Sequence, residues 1–146
     1  MFNNILVATD GSSASEHAAK IAVGLAKSHH ARITAVYVVD PYPYLGMGNT
    51  NPMGLYAYLS AAREHAAAAH SKVMALCADS DPQVPLELRL IENATAAKGI
   101  LQTARDEDCD LIVAGSHGHS GFENLVIGSV VAKLVQAAHV PVLVVK

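Results

Sequence analysis

The run Ala114-Gly115-Ser116-His117-Gly118, followed after nine intervening residues by Gly128-Ser129, holds the residues best suited to chemistry. It opens where the apolar stretch Leu111-Ile112-Val113-Ala114 stops, and it closes where the helical pattern Val131, Leu134, Val135, Ala138 begins. A buried strand that empties into glycines and then feeds a helix aims several backbone N–H groups at one point. The first-turn amides of a helix lack internal partners, and the helix dipole adds partial positive charge, so anions bind there. Glycine tolerates unusual backbone angles and lets a phosphate approach with no Cβ in the way. The spacing predicts a phosphate site, of the kind that holds a nucleotide.

Other chemistries find less support. Without Gly-x4-Gly-Lys-[Ser/Thr] the chain is not a P-loop enzyme. Ser120 lacks the Gly-x-Ser-x-Gly frame of a nucleophile elbow, because Phe122 stands at the second glycine position. His117 and His119 have no Cys, Asp or Glu at a supporting spacing nearby, so phosphate contact or plain exposure is expected there rather than a metal site. No general base for attacking water is evident, so any hydrolysis of a bound nucleotide should be slow. Asn93-Ala94-Thr95 matches a glycosylation sequon, but helix capping explains it better.

The elements that must position these residues alternate along the chain. Ile5-Leu6-Val7-Ala8 reads as a buried strand ending at Thr9-Asp10-Gly11, and Ser13 to Glu16 match a capping box. The helix that follows has Ala18, Ile21, Ala22 and Leu25 on its apolar face, and a second strand runs from about Arg32 to Val39. A Pro/Gly/Tyr-rich connection, Asp40 to Pro52, is long enough to be a lid or mobile segment. Pro52 suits the first position of an alanine-rich helix reaching about Ala78. Leu86 to Ile91, with Glu87 and Arg89 interleaved, reads as an edge strand. Asn93 is a plausible cap for a helix with Ala97, Ile100, Leu101 and Ala104 inward. The last strand is Pro141 to Val145.

Strand–helix alternation of this kind predicts an α/β fold: one doubly wound, five-stranded parallel sheet with helices on both faces, residues 1–146 forming one domain. In such sheets ligands bind beyond the carboxyl ends of the strands, where the strand order reverses. With the first strand central, Asp10 faces the Gly115/Gly118 loop and Val38 lines one side. These three places are distant in sequence and converge under a single topology.

Composition narrows the classes further. Apolar residues make up 51% and charged residues 16% of the 146, enough apolar material for a good core. The net charge is −3, and the ten Lys and Arg are scattered, which argues against a nucleic-acid partner and means that a polyphosphate would need backbone dipoles and a divalent cation. Cys77 and Cys109 lack Cys-x-x-Cys spacing and read as buried free thiols. Neither a signal peptide nor a membrane-spanning stretch is apparent, so a cytoplasmic protein with no membrane partner is expected.

Taken together, Ile5 to Ser12, the Gly-Ser-His-Gly loop, the Gly-x2-Gly-x9-Gly-[Ser/Thr] spacing of Gly115, Gly118, Gly128 and Ser129, and the ending Val140 to Val145 resemble the universal stress proteins. The resemblance runs the whole length of the chain. It implies a Rossmann-like, adenine nucleotide alpha hydrolase-like sheet of order 3-2-1-4-5 that binds ATP, or AMP or ADP, with Mg2+ or Mn2+. Ala8, Thr9 and Asp10 would close strand 1, with Asp10 on the sugar or a phosphate-bound metal. Main chain near Val38 would recognise adenine. Ala114, Gly115, Ser116, His117 and Gly118 would hold ribose and phosphate, and Gly128, Ser129 and Val130 the outer phosphates. Some relatives carry Lys or Arg directly after the second glycine, where this chain has His119, which weakens the electrostatic help for a γ-phosphate. The resemblance also implies a homodimer paired through the last strand, 140–146, whose apolar edge would otherwise stay open. Two alternatives remain at this stage: an adenylyl-transferring enzyme of the same fold, and a stress-response interaction protein with no bound nucleotide.

Overall fold

The computed structural model describes residues 1–42, 52–117 and 127–146. Along the chain these form β1 (Asn4–Ala8), α1 (Ser13–His29), β2 (Arg32–Val38), α2 (Pro52–Ala78) and β3 (Leu86–Ile91), then α3 (Ala96–Asp106), β4 (Leu111–Gly115), α4 (Ser129–Ala137) and β5 (Val142–Val145). The strands make one five-stranded sheet in the order β3-β2-β1-β4-β5, and every neighbouring pair is parallel. This is the doubly wound α/β fold.

β1 is central because it is apolar on both faces. Ile5 and Val7 pack with Ile33, Ala35, Leu111 and Val113 in the cluster that also holds buried residues of α1 and α2. Leu6 points the other way, joining Val36, Ile112, Ala114 and the inward residues of α3 and α4. Strand side chains alternate faces, so uniformly apolar strands need a cover on each side. Helix α2 supplies its share with Ala66, Ala69, Val73 and Cys77, a stripe at helical spacing whose small members allow close approach to the sheet. The chain winds from β1 through β2 to β3 and then crosses back past β1 to β4, so the order reverses between β1 and β4, and the crevice opens at their carboxyl ends.

Several local expectations change. The cap of α1 is Ser12 rather than Ser13, its side chain accepting from the Ser15 amide. Two adjacent serines can each cap, and the turn Asp10 makes with Ser12 selects the earlier one. Ile21 is 36% exposed, whereas Ala19, Val23 and Ala26 are buried, because the stripe facing the sheet is built from small residues that sit close to it. Asn93 does not cap α3. It holds a left-handed backbone (φ 62°), as asparagine readily does, and Thr95 occupies the cap position. On α4 only Val131 and Leu134 are buried, and Val135 is exposed, because this short helix covers the side of the sheet near its edge. The proposed lid over 43–51 lies outside the described residues.

Candidate functional site

At the exit of β1 the chain ties itself into a compact turn. The Asp10 Oδ1 accepts from the Ser12 amide at 2.9 Å, the Ser12 side chain accepts from the Ser15 amide at 3.2 Å, and Ser15 Oγ donates to the Ser12 carbonyl at 3.0 Å. Gly11 permits the turn with φ 81°. The first turn of α1 is thus supplied with partners by its own serines, and Asp10 is held at the mouth of the crevice.

The exit of β4 is built differently. The Ser116 amide donates to the Val145 carbonyl at 2.7 Å, and the Gly128 amide donates to the Ser116 carbonyl at 2.9 Å. These bonds bring the start of α4 back against the end of β4. Gly128 is the cap residue and has no side chain with which to cap the helix. Thr95, at the start of α3, likewise makes no side-chain cap bond. The amides opening α4 are therefore the donors that an anion would find, with the helix dipole behind them.

A cavity of about 390 Å³ occupies the space between these ends, within the range of small-molecule sites. Ala8, Thr9, Asp10, Val38, Ala114, Gly115, Ser116, His117, Gly128, Ser129 and Val130 all line it. Gly118, the remaining residue singled out from the sequence, lies outside the described residues, as do His119 and Ser120. The apolar wall comes from Val36, Val38, Ile100 and Val131. Gly115 owes its residue type to packing, since a Cβ there would stand 3.0 Å from the Ala14 carbonyl oxygen of α1.

Sequence reasoning did not place Ser15, Val36, Tyr37, Asp40, Ala96, Ile100 and Val131 in the site, and they also line the cavity. Tyr37 and Asp40 flank the position of Val38 and could have been found by extending the end of β2. Ala96 and Ile100 open a helix whose neighbourhood only the folded sheet defines. Burial pushes the Tyr37 phenol up from its ordinary value, and the Asp10 and Asp40 carboxylates add to the shift, so negative potential converges here. Tyr58 donates to the Asp40 carbonyl at 2.7 Å and meets the Tyr42 ring edge-on at 5.3 Å, anchoring the start of the connection to α2.

Neither thiol lines the cavity. Cys77 and Cys109 are both buried and free, and burial lifts the Cys109 thiol to about 11, far from nucleophilic use at neutral pH. Among the described residues no group of three or more His, Cys, Asp or Glu could hold a metal ion. No helix among them is long and apolar enough to cross a membrane.

The model of the Universal stress protein family matches residues 1–146. The chain belongs to the universal stress protein family. A universal stress protein of Thermus aquaticus is 37% identical over 147 residues, with 100% of each chain covered. Among solved structures, the universal stress protein UspA from Lactobacillus plantarum superposes with TM-score 0.80 at 28% identity, covering 99% of this chain and 97% of its own. The universal stress protein from Archaeoglobus fulgidus in complex with dAMP shares the fold, with TM-score 0.65, 22% identity and coverage of 99% and 98%.

Proposed function

We propose that residues 1–146 form one universal stress protein domain that binds an adenine nucleotide, ATP or its AMP and ADP forms, in the crevice between β1 and β4. It works as a nucleotide-dependent stress-response module in the cytoplasm. The observation that carries this reading is the 390 Å³ cavity at the reversal point of the sheet, bounded by α4, whose cap residue Gly128 offers no side chain to its first turn. Val36, Val38 and Ile100 offer an apolar wall for the base, and the amides of Ser129 and Val130 offer donors for phosphoryl oxygens. Asp10 meets a ribose hydroxyl or a cation. The dAMP complex of the Archaeoglobus fulgidus protein, which has a like fold, supports the same class of ligand.

The donor set also fits a phosphate-borne cation. Mg2+ is commonly held by one or two carboxylates together with substrate phosphates, and Asp10 is the carboxylate at the β1 side of the cavity. A bound Mg2+ or Mn2+ would supply charge neutralisation for a polyphosphate. Hydrolysis of ATP is slow at most. Two copies pair through the strand edge at 140–146, where β5 ends the sheet.

Thermal unfolding with and without adenine nucleotide and magnesium tests the proposal. Ligand at about a hundred times its Kd adds about 2.7 kcal/mol, a rise of roughly 5–10 °C for a chain of this size. Gly128→Val, which forces bulk toward the Ser116 carbonyl, should abolish the rise. No rise with any adenine nucleotide, or an undiminished rise in Gly128→Val, would overturn the assignment.

A further inference from the structure

Helix α3 reaches the cavity along one face. Ala96 and Ile100 line it, and the buried Gly99, three residues after Ala96 and one before Ile100, lies on the same side of the helix. A Cβ at Gly99 would stand 2.8 Å and 3.0 Å from the two γ carbons of Val38, which lines the cavity from β2. It would also stand 3.4 Å from Cγ2 of Ile91, the partner of Val38 across the β2–β3 pair. Non-bonded carbons sit about 3.5–4.0 Å apart, so an alanine does not fit with α3 and Val38 where they are. A Cβ at Gly24, inside α1, would by contrast meet nothing within 4 Å. Glycine in a helix interior is unfavourable relative to alanine, and at position 99 the closeness of Val38 accounts for it.

Neither side of this contact has an easy way to yield. Valine is stiff about χ1, so its γ carbons do not bend aside freely. The end of β2 is held by its pairing with β3 and by the Thr9 amide, which donates to the Val36 carbonyl at 3.0 Å. On the helix, the Gly99 carbonyl accepts from the buried Thr103 hydroxyl at 2.8 Å, which ties this turn to the next. Relief comes when α3 lifts from the sheet or Val38 changes rotamer. Either movement displaces the apolar wall that Val38, Ala96 and Ile100 present to the cavity.

Resting on the nucleotide reading above, we propose that Gly99 is a positioning residue for the base: by letting α3 lie directly on Val38, it fixes the wall against which the base packs. Gly99 is not itself part of the lining, so it acts through Val38 and Ile100. Packing against a flat ring is sensitive to such a displacement. A gap of about 0.5–1 Å forfeits a quarter to a half of each contact, and a wall pushed inward overlaps the ring instead.

Titration calorimetry with AMP, alongside urea unfolding of the same proteins, tests this with Gly99→Ala, Val38→Ala, the double variant and Gly24→Ala. Gly99→Ala should bind AMP roughly five- to tenfold more weakly than the wild type, within the coupling measured between residues in contact. Gly24→Ala should bind as the wild type does. Val38→Ala removes the γ carbons, so adding Gly99→Ala to it should change AMP affinity by less than about twofold. A role in stability alone would move the urea midpoint of Gly99→Ala and leave the affinity of the folded protein where it was. If Gly99→Ala alone does not fold, the double variant still reads the contact, by folding and binding AMP as Val38→Ala does. Wild-type affinity in folded Gly99→Ala, or a double variant that binds more than about twofold weaker than Val38→Ala, overturns the positioning role while leaving nucleotide binding intact. Failure of the wild type to bind AMP overturns the nucleotide reading, and the positioning role with it.

Discussion

Replacing Gly115 with alanine probes how the crevice is built. A Cβ at this position would lie 3.0 Å from the Ala14 carbonyl oxygen, 3.1 Å from its carbonyl carbon and 3.3 Å from its Cβ. All three atoms belong to the first turn of α1, which Asp10, Ser12 and Ser15 lock in place. The turn must shift by a few tenths of an ångström or the end of β4 must bend, and overpacking of this kind costs about 1–3 kcal/mol. Losing glycine's backbone freedom returns about 0.5–1 kcal/mol. Taking the middle of each range, the net loss is about 1 kcal/mol, lowering Tm by roughly 2–4 °C. Gly24 is the control. It lies inside α1 with nothing within 4 Å of a built Cβ, so Gly24→Ala should raise stability by about 0.5–1 kcal/mol. Urea unfolding followed by far-UV circular dichroism would order the proteins Gly24→Ala, wild type, Gly115→Ala. Because the displaced turn carries Asp10, Gly115→Ala should also bind nucleotide more weakly. A Gly115→Ala protein as stable as the wild type would refute the packing argument and return this glycine to the role of a phosphate-approach residue alone.

Two further outcomes follow from groups outside the cavity wall. His70 on α2 is nine-tenths buried beside the Tyr37 ring, its Nε2 has no partner among the described residues, and burial holds its pKa below the ordinary value. The unfolded chain then takes up this proton first, so the stability is fully present above about pH 6.5 and is lost as pH falls toward the lowered native value. Urea midpoints measured from about pH 8 to about pH 5.5 should fall more steeply in the wild type than in His70→Phe, and equal slopes would contradict the assignment. On β5, Val142 and Val144 pack toward the α3–α4 side of the core while Leu143 is exposed. If two copies pair at this edge as proposed, Leu143→Lys should lower the mass seen by light scattering with little change in spectrum, and an unchanged mass would remove this edge as the interface.

Short uniformly apolar runs such as Ile5–Ala8 and Leu111–Ala114 identified the strands, because a parallel sheet buries both faces of its central members. The expected reversal point brings Asp10, Val38 and Gly115 together, and all three line one cavity. Legibility ended where choices were nearly equal in energy or set by tertiary contact. Ser12 and Ser13 are equally good caps by type, and only the Asp10 turn distinguishes them. Ile21 has the bulk of a core residue, yet the smaller Ala19, Val23 and Ala26 face the sheet. The burial of His70 and the presence of Tyr37, Asp40 and Ala96 in the cavity depend on helix placement, for which local pattern carries no signal. Gly115 reads from the sequence as a phosphate-approach glycine, whereas its closeness to Ala14 depends on how α1 packs against β4.

The most direct measurement is a titration of the 15N-labelled protein with AMP and then with ATP and magnesium, followed by backbone amide resonances. The account predicts saturable shifts concentrated at Val38, Ser116, Ser129 and Val130, which line the cavity, with Lys27 and Leu143 unmoved. Shifts confined to surfaces away from these residues, or no saturable shift at all, would contradict it.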